Sequence, residues 1–120
     1  MNSLEYLTLQ QAEKFLEDAG EFYPFGTVLD KKGNAVPVGF YDDKIKDPQK
    51  ITEILKKYFI KDLKKGEITE AIIGVNVTIN ENGQKRDALL MLEWSPEGQW
   101  KHKYFPYKLK GEKIKWLEAF

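Results

Sequence analysis

The side chains with the means for acid–base chemistry are few. They are the single histidine, His102, and the carboxylates Glu21, Glu70, Asp87 and Glu93, which fall in or beside β-prone runs. An imidazole titrates near neutrality and suits proton transfer, provided a nucleophile or a second titratable group stands within hydrogen-bond reach. No such nucleophile stands out. There is no cysteine. Ser3 lies near the start of the chain and Ser95 precedes Pro96 in a turn, so neither has the strand–elbow–helix setting of a Gly-x-Ser-x-Gly nucleophile. Asp87 and Glu93 share one face of a strand, with Leu89 and Met91 between them. At about 3.3 Å per residue their Cα atoms stand about 20 Å apart, too far for a hydrolytic carboxylate pair. Whether Glu70 faces either of them across a hairpin is open at this level. His102 alternates with Trp100 and Tyr104 between Lys101 and Lys103, the pattern of a partly exposed strand histidine.

Cofactor chemistry finds no more purchase. The 9 glycines are scattered singly through turns, whereas phosphate loops need several leading into a helix N-terminus. Zinc and iron–sulfur sites draw on cysteine and clustered histidine. No cofactor and no metal are therefore expected. The segment Trp100 to Lys108 interleaves aromatics with bases, which is how a strand stacks and steers single-stranded nucleic acid. The same alternation serves any half-buried strand, and the formal net charge is +0, without the basic excess of a general nucleic-acid binder. Nucleic acid is not the expected partner. Charge is nevertheless uneven: residues 1–30 carry six acids against Lys14, and residues 101–120 carry six lysines against Glu112 and Glu118.

The 120 residues match the size of one domain, able to bury roughly two-thirds of the surface of the unfolded chain without a disulfide or metal staple. A single domain over residues 1–120 is expected, with no linker, repeat or low-complexity tract. The start, Met1-Asn2-Ser3-Leu4-Glu5-Tyr6, has no basic or apolar signal region, and no apolar run is long enough to cross a bilayer. With zero cysteine, these features lead to the expectation of a cytoplasmic protein without membrane contact.

Thr8-Leu9-Gln10-Gln11 has the form of a capping box, followed at helical spacing by Leu9, Ala12, Phe15, Leu16 and Ala19 and stopped by Gly20. The helix can also extend upstream through Leu4 and Leu7. Two β-prone runs, Glu21 to Asp30 and Ala35 to Tyr41, surround Lys31-Lys32-Gly33-Asn34 and read as a hairpin, with Pro37 placing its strand at an edge. Asp47 and Pro48 open a second helix whose stripe is Ile51, Ile54, Leu55, Tyr58, Phe59 and Leu63, closed by Lys64, Lys65 and Gly66. From Thr69 the period becomes two. Asn82-Gly83 marks a tight hairpin, and the strand from Asp87 to Trp94 is apolar on both faces, as a central strand is. A strand from Trp100 to Tyr107 and a last turn at Lys110-Gly111-Glu112 follow. The order predicts an α+β fold: helix, β-hairpin, helix, then an antiparallel meander of three to four strands, with the helices on one face of the sheet.

Three groups of residues go together: Glu21-Phe22-Tyr23-Pro24-Phe25-Gly26 with the turn from Asp30 to Gly33, Asp87-Ala88-Leu89 with Glu93, and Pro106-Tyr107. In combination they resemble a group of small bacterial α+β domains that includes immunity-type proteins. That resemblance implies a protein partner and no catalytic residues. The chain departs from the acid-rich immunity proteins in its neutral net charge, so what carries over is protein binding.

The expected function is a non-catalytic protein-interaction domain, immunity-like, with a protein partner of unknown identity. Its contact surface is expected among Tyr23, Phe25, Trp100, His102, Tyr104 and Tyr107, since tyrosine and tryptophan dominate interface hot spots. An edge strand beside such a patch also suits a homodimer. The alternative is a small-ligand-binding protein or atypical enzyme with a pocket between helices and sheet, which requires Glu70, Asp87, Glu93 and His102 to converge.

Overall fold

The computed structural model describes residues 3–40 and 42–120; Met1 and Asn2, and Tyr41 at the expected end of a strand, lie outside them. The elements run α1 (Ser3–Ala19), β1 (Phe25–Asp30), β2 (Ala35–Val38), α2 (Pro48–Lys65), β3 (Ile68–Glu81), β4 (Gln84–Trp94), β5 (Trp100–Lys110) and β6 (Lys113–Trp116). All strands pair antiparallel in one sheet of order β2-β1-β3-β4-β5-β6. The α+β class and the antiparallel hairpin are as the sequence predicts; the meander, expected with three to four strands, has four, which makes six in the sheet. No helix among the described residues is long and apolar enough to cross a membrane.

Local signals explain most boundaries. Asp47 accepts a hydrogen bond from the Gln49 N–H at 3.1 Å, and Gly66, at φ 74°, donates to the Asp62 and Leu63 carbonyls. Asn82 and Gly83 both take positive φ, 53° and 81°, as a two-residue hairpin with the sheet's own twist requires. Asp30 holds the β1–β2 turn by accepting from the Lys32 and Asn34 N–H groups at 2.9 and 2.8 Å. Those two bonds favour the charged carboxylate, and its pKa is lowered, the Asn34 backbone N–H being the largest cause.

Two expectations need correction. α1 begins at Ser3, so Thr8 is an interior helical residue and not its cap. The buried stripe is Leu4, Thr8, Ala12 and Leu16, while Phe15 is 37% exposed. A hydroxyl lies in that stripe because Thr8 donates to the Leu4 carbonyl at 2.8 Å and meets the Thr27 hydroxyl of β1. The second correction concerns the layers: the helices lie on opposite faces of the sheet. On α2's side Ile51, Leu55 and Phe59 pack with Val28, Ala71, Ile73, Val75 and Leu92. On α1's side Leu4 and Ala12 pack with Phe25, Ile72, Leu89, Met91 and Phe105. Neighbouring residues of β3 thus enter different cores, and Ile72 and Ile73 are both 0% exposed. A strand that is apolar on both faces needs cover on both.

Candidate functional site

The Phe-Gly pair of the Glu21–Gly26 motif serves the architecture. Phe25 and Gly26 open β1 and alternate across it, Phe25 toward α1 and Gly26 toward α2. The Phe25 ring lies over Gly74, its register partner, where an added Cβ would meet ring carbons at 2.8 Å. Gly26 lies beneath the ring of Phe59, and a Cβ there would meet Cζ at 2.3 Å and Cε2 at 2.6 Å. One dipeptide therefore seats both layers, each through an aromatic ring on a bare backbone. The ring cluster continues through Phe15 and Phe22, each 5.4 Å from Phe25.

Of the six aromatic or histidine positions expected at a contact surface, two belong to the core. Phe25 is 5% and Tyr107 4% exposed. Tyr107 donates its hydroxyl to Asn76 Oδ1 at 2.9 Å. Burial, with the Asp87 carboxylate nearby, pushes its phenol up to about 12. An unfolded tyrosine ionises near 10, so between the two values only the unfolded chain sheds the proton. The contribution is intact below pH 10 and is lost as the pH rises through 12, by about 3 kcal/mol at most. Tyr107→Phe is expected to cost about 1 kcal/mol at pH 7 through the lost hydrogen bond. It should draw level with the wild type near pH 11 in urea titrations at both pH values.

The other four do not form one patch. Tyr23 is 57% exposed, on the segment between α1 and β1. Trp100, His102 and Tyr104 lie on β5, on the side of the sheet that α2 shares. α2 packs over β3 and β1, so on that side β5 and β6 are left open. Trp100 packs edge to face on Trp94, with centroids 5.2 Å apart. Tyr104 stacks on Phe120 at 5.4 Å, and Phe120 is 58% exposed. Exposed His102 forms the far wall of a groove of about 340 Å³, with Val75, Val77, Leu90 and Leu92 on its floor and Thr52 and Lys56 on the α2 wall.

Strand alternation also sorts the bases of residues 100–108. Lys101 and Lys103 point to α1's side, where they lie 3.8 Å from Glu97 and 3.7 Å from Glu5. They are thus neutralised and separated from the open aromatic side. Lys108 shares that side with Tyr104, and the run continues beyond the segment singled out in the sequence. Lys108 pairs across the ladder with Lys115, and Lys110 with Lys113. Leu109, Ile114, Tyr107 and Trp116 take the alternate positions, Trp116 against α1's core. The four lysines therefore share the open side, and none forms an ion pair with a described residue. Like charges directly opposite in an antiparallel pair are destabilising, by roughly 0.2–1 kcal/mol per pair. Composition shows a lysine-rich end; its concentration on one side is visible only in the register.

The carboxylates do not gather around His102. Asp87 and Glu93 sit opposite Thr78 and Ile72, on α1's side, whereas His102 sits opposite Leu92 on the other. Glu70 pairs with Leu29 of β1, not with either of them. Among the described residues no three of His, Cys, Asp and Glu come together as metal ligands. Comparison with protein-family models, with curated proteins and with solved structures returns no match to this chain.

Proposed function

We propose that this chain is a non-catalytic protein-binding domain whose contact surface is the open side of β4–β6, centred on His102, Tyr104 and Phe120. The observation that carries the reading is that α2 packs chiefly over β3 and β1, leaving aromatic side chains of β5 beside a groove with an apolar floor and a rim of Glu53, Lys56 and His102. Interfaces favour such aromatic anchors, with a polar rim around them. A cytoplasmic, immunity-like role is the biological form of this proposal suggested by the motif resemblance.

The test compares tagged wild type with His102→Asp/Tyr104→Asp and, as a control, Tyr58→Asp on the far part of α2. Wild type and control are expected to retain the same stoichiometric protein from native lysate, and the double variant to lose it. Retention by all three, or by none, would overturn the reading. The second reading, a small-ligand site, has one observation in its favour. A groove of about 460 Å³ lies between α2 and the β1–β2 hairpin, over Val28, Leu55 and Phe59. None of Glu70, Asp87, Glu93 or His102 lines it; its polar lining is Asp42, Tyr58 and Asp62, so the convergence on which the enzyme alternative was built is not what forms it.

A further inference from the structure

We infer that the segment bound on this open side is acidic: carboxylates of a protein partner lie across the β5–β6 ribbon on Lys108, Lys110, Lys113 and Lys115. This rests on the protein-binding reading above and names the chemistry of the partner.

Four observations carry it. The lysines form two cross-strand pairs, Lys108↔Lys115 and Lys110↔Lys113, so lysine stands opposite lysine in the ladder. None forms an ion pair within 4.0 Å of a described carboxylate; Glu17, which reaches β6, accepts from the Ile114 N–H at 3.4 Å instead. Of the neighbouring bases, Arg86 lies 3.2 Å from Glu81, and Lys101 and Lys103 have Glu97 and Glu5, while Lys85 has no such pair. The block follows the Tyr104–Phe120 stack along the same side of β5, with Pro106 between them, so an acidic segment that spans both meets charge and apolar surface together.

Edge protection is the simpler account of lysines on β6, which ends the sheet, because charged side chains discourage strand addition. It accounts for Lys113 and Lys115. It does not account for placing Lys108 and Lys110 directly opposite them on β5, where an acid would protect the edge equally and remove the repulsion. A single-stranded nucleic acid is the competing polyanion. It needs open ring faces for its bases and a basic track several nucleotides long. Here Tyr104 and Phe120 already stack on each other, Trp94 and Trp100 pack edge to face, and the unmatched block is two residue pairs long. That geometry fits a few carboxylates better than a strand of phosphates.

The test uses the full chain and a fluorescein-labelled dodecapeptide of glutamates with two interspersed phenylalanines. Its lysine-for-glutamate counterpart and a dT dodecamer serve as comparators. Fluorescence anisotropy is expected to show binding of the acidic peptide alone, weakening about tenfold between 50 and 300 mM salt as screening sets in. Lys108→Gln/Lys110→Gln/Lys113→Gln/Lys115→Gln is expected to lose at least about tenfold in affinity, because charge complementarity is what it removes. Lys101→Gln/Lys103→Gln should leave affinity unchanged. The fourfold variant should also melt no lower than wild type, since it removes two repulsive pairs. Equal affinity in the fourfold variant, or a lower melting temperature, would overturn the proposal. Tighter binding of the dT dodecamer would overturn it in favour of nucleic acid. Should the lysate partner depend on His102 and Tyr104 but not on the four lysines, the acidic segment falls while protein binding stands.

Discussion

Gly26→Ala is expected to be among the most damaging single substitutions in the molecule, although it adds one methyl group. The new Cβ would sit 2.3 Å from Phe59 Cζ and 2.6 Å from Cε2, well inside van der Waals contact. Phe59 cannot swing aside, because it is 3% exposed and packed among Val28, Ile73 and Leu55 on α2's side. Either α2 lifts from the sheet or β1 shifts in its ladder, and overpacking of this kind costs about 3 kcal/mol. For a chain of this size the melting temperature should fall by roughly 10 °C. Phe59→Leu removes the clashing ring atoms. The double variant Gly26→Ala/Phe59→Leu should therefore be more stable than the sum of the two single losses by at least about 1 kcal/mol. Additive losses in a denaturant double-mutant cycle would show that the ring–glycine contact is not what limits the site.

Thr8→Val should cost about 2 kcal/mol, whereas the isosteric change at its partner, Thr27→Val, should cost much less. The asymmetry follows from which oxygen has somewhere else to donate. Both residues are 0% exposed. Thr8 donates to the Leu4 carbonyl, so in the Thr8–Thr27 contact its oxygen is the acceptor and Thr27 the donor. Without the Thr8 hydroxyl, the Thr27 O–H is a buried donor with no acceptor. Without the Thr27 hydroxyl, Thr8 keeps its bond to Leu4. Replacing both leaves two isosteric methyl groups in contact, and Thr8→Val/Thr27→Val should recover much of what Thr8→Val loses, because no polar group then lies unsatisfied. Urea midpoints of the three variants decide the matter, and a Thr27→Val loss equal to that of Thr8→Val would show the assignment of donor and acceptor to be wrong.

These two contacts mark how far the sequence could be read. The bounds of α2 were legible, because Asp47, Pro48 and Gly66 act within a few residues of themselves; its stripe was not fully so, since Tyr58, expected in it, is 61% exposed. The Asn82-Gly83 turn was legible for the same reason. Thr8 was misread because its side chain can cap a helix locally or bond across 19 residues, and only the second option needs the sheet. Which aromatic residues stay at the surface was harder still to read. Phe25, Tyr107 and Tyr104 are aromatic residues on β-prone runs alike, yet the first two are core and the third borders open surface.

What the sequence determined by itself is the list and order of elements, since caps, turns and apolar periods are local and carry their own geometry. It also determined what the chain lacks, because a side chain that is absent cannot be supplied by folding. The tertiary structure decided where those elements lie relative to one another. It placed the helices on opposite faces, sent Asp87 and Glu93 to one side and His102 to the other, and set the four lysines in opposed pairs. The physical reason is that a strand's period of two divides its side chains between faces but does not say which face is covered. That depends on which helix crosses which strands. It leaves His102 less a candidate for proton transfer than one wall of an open aromatic surface with cationic lysines beyond it.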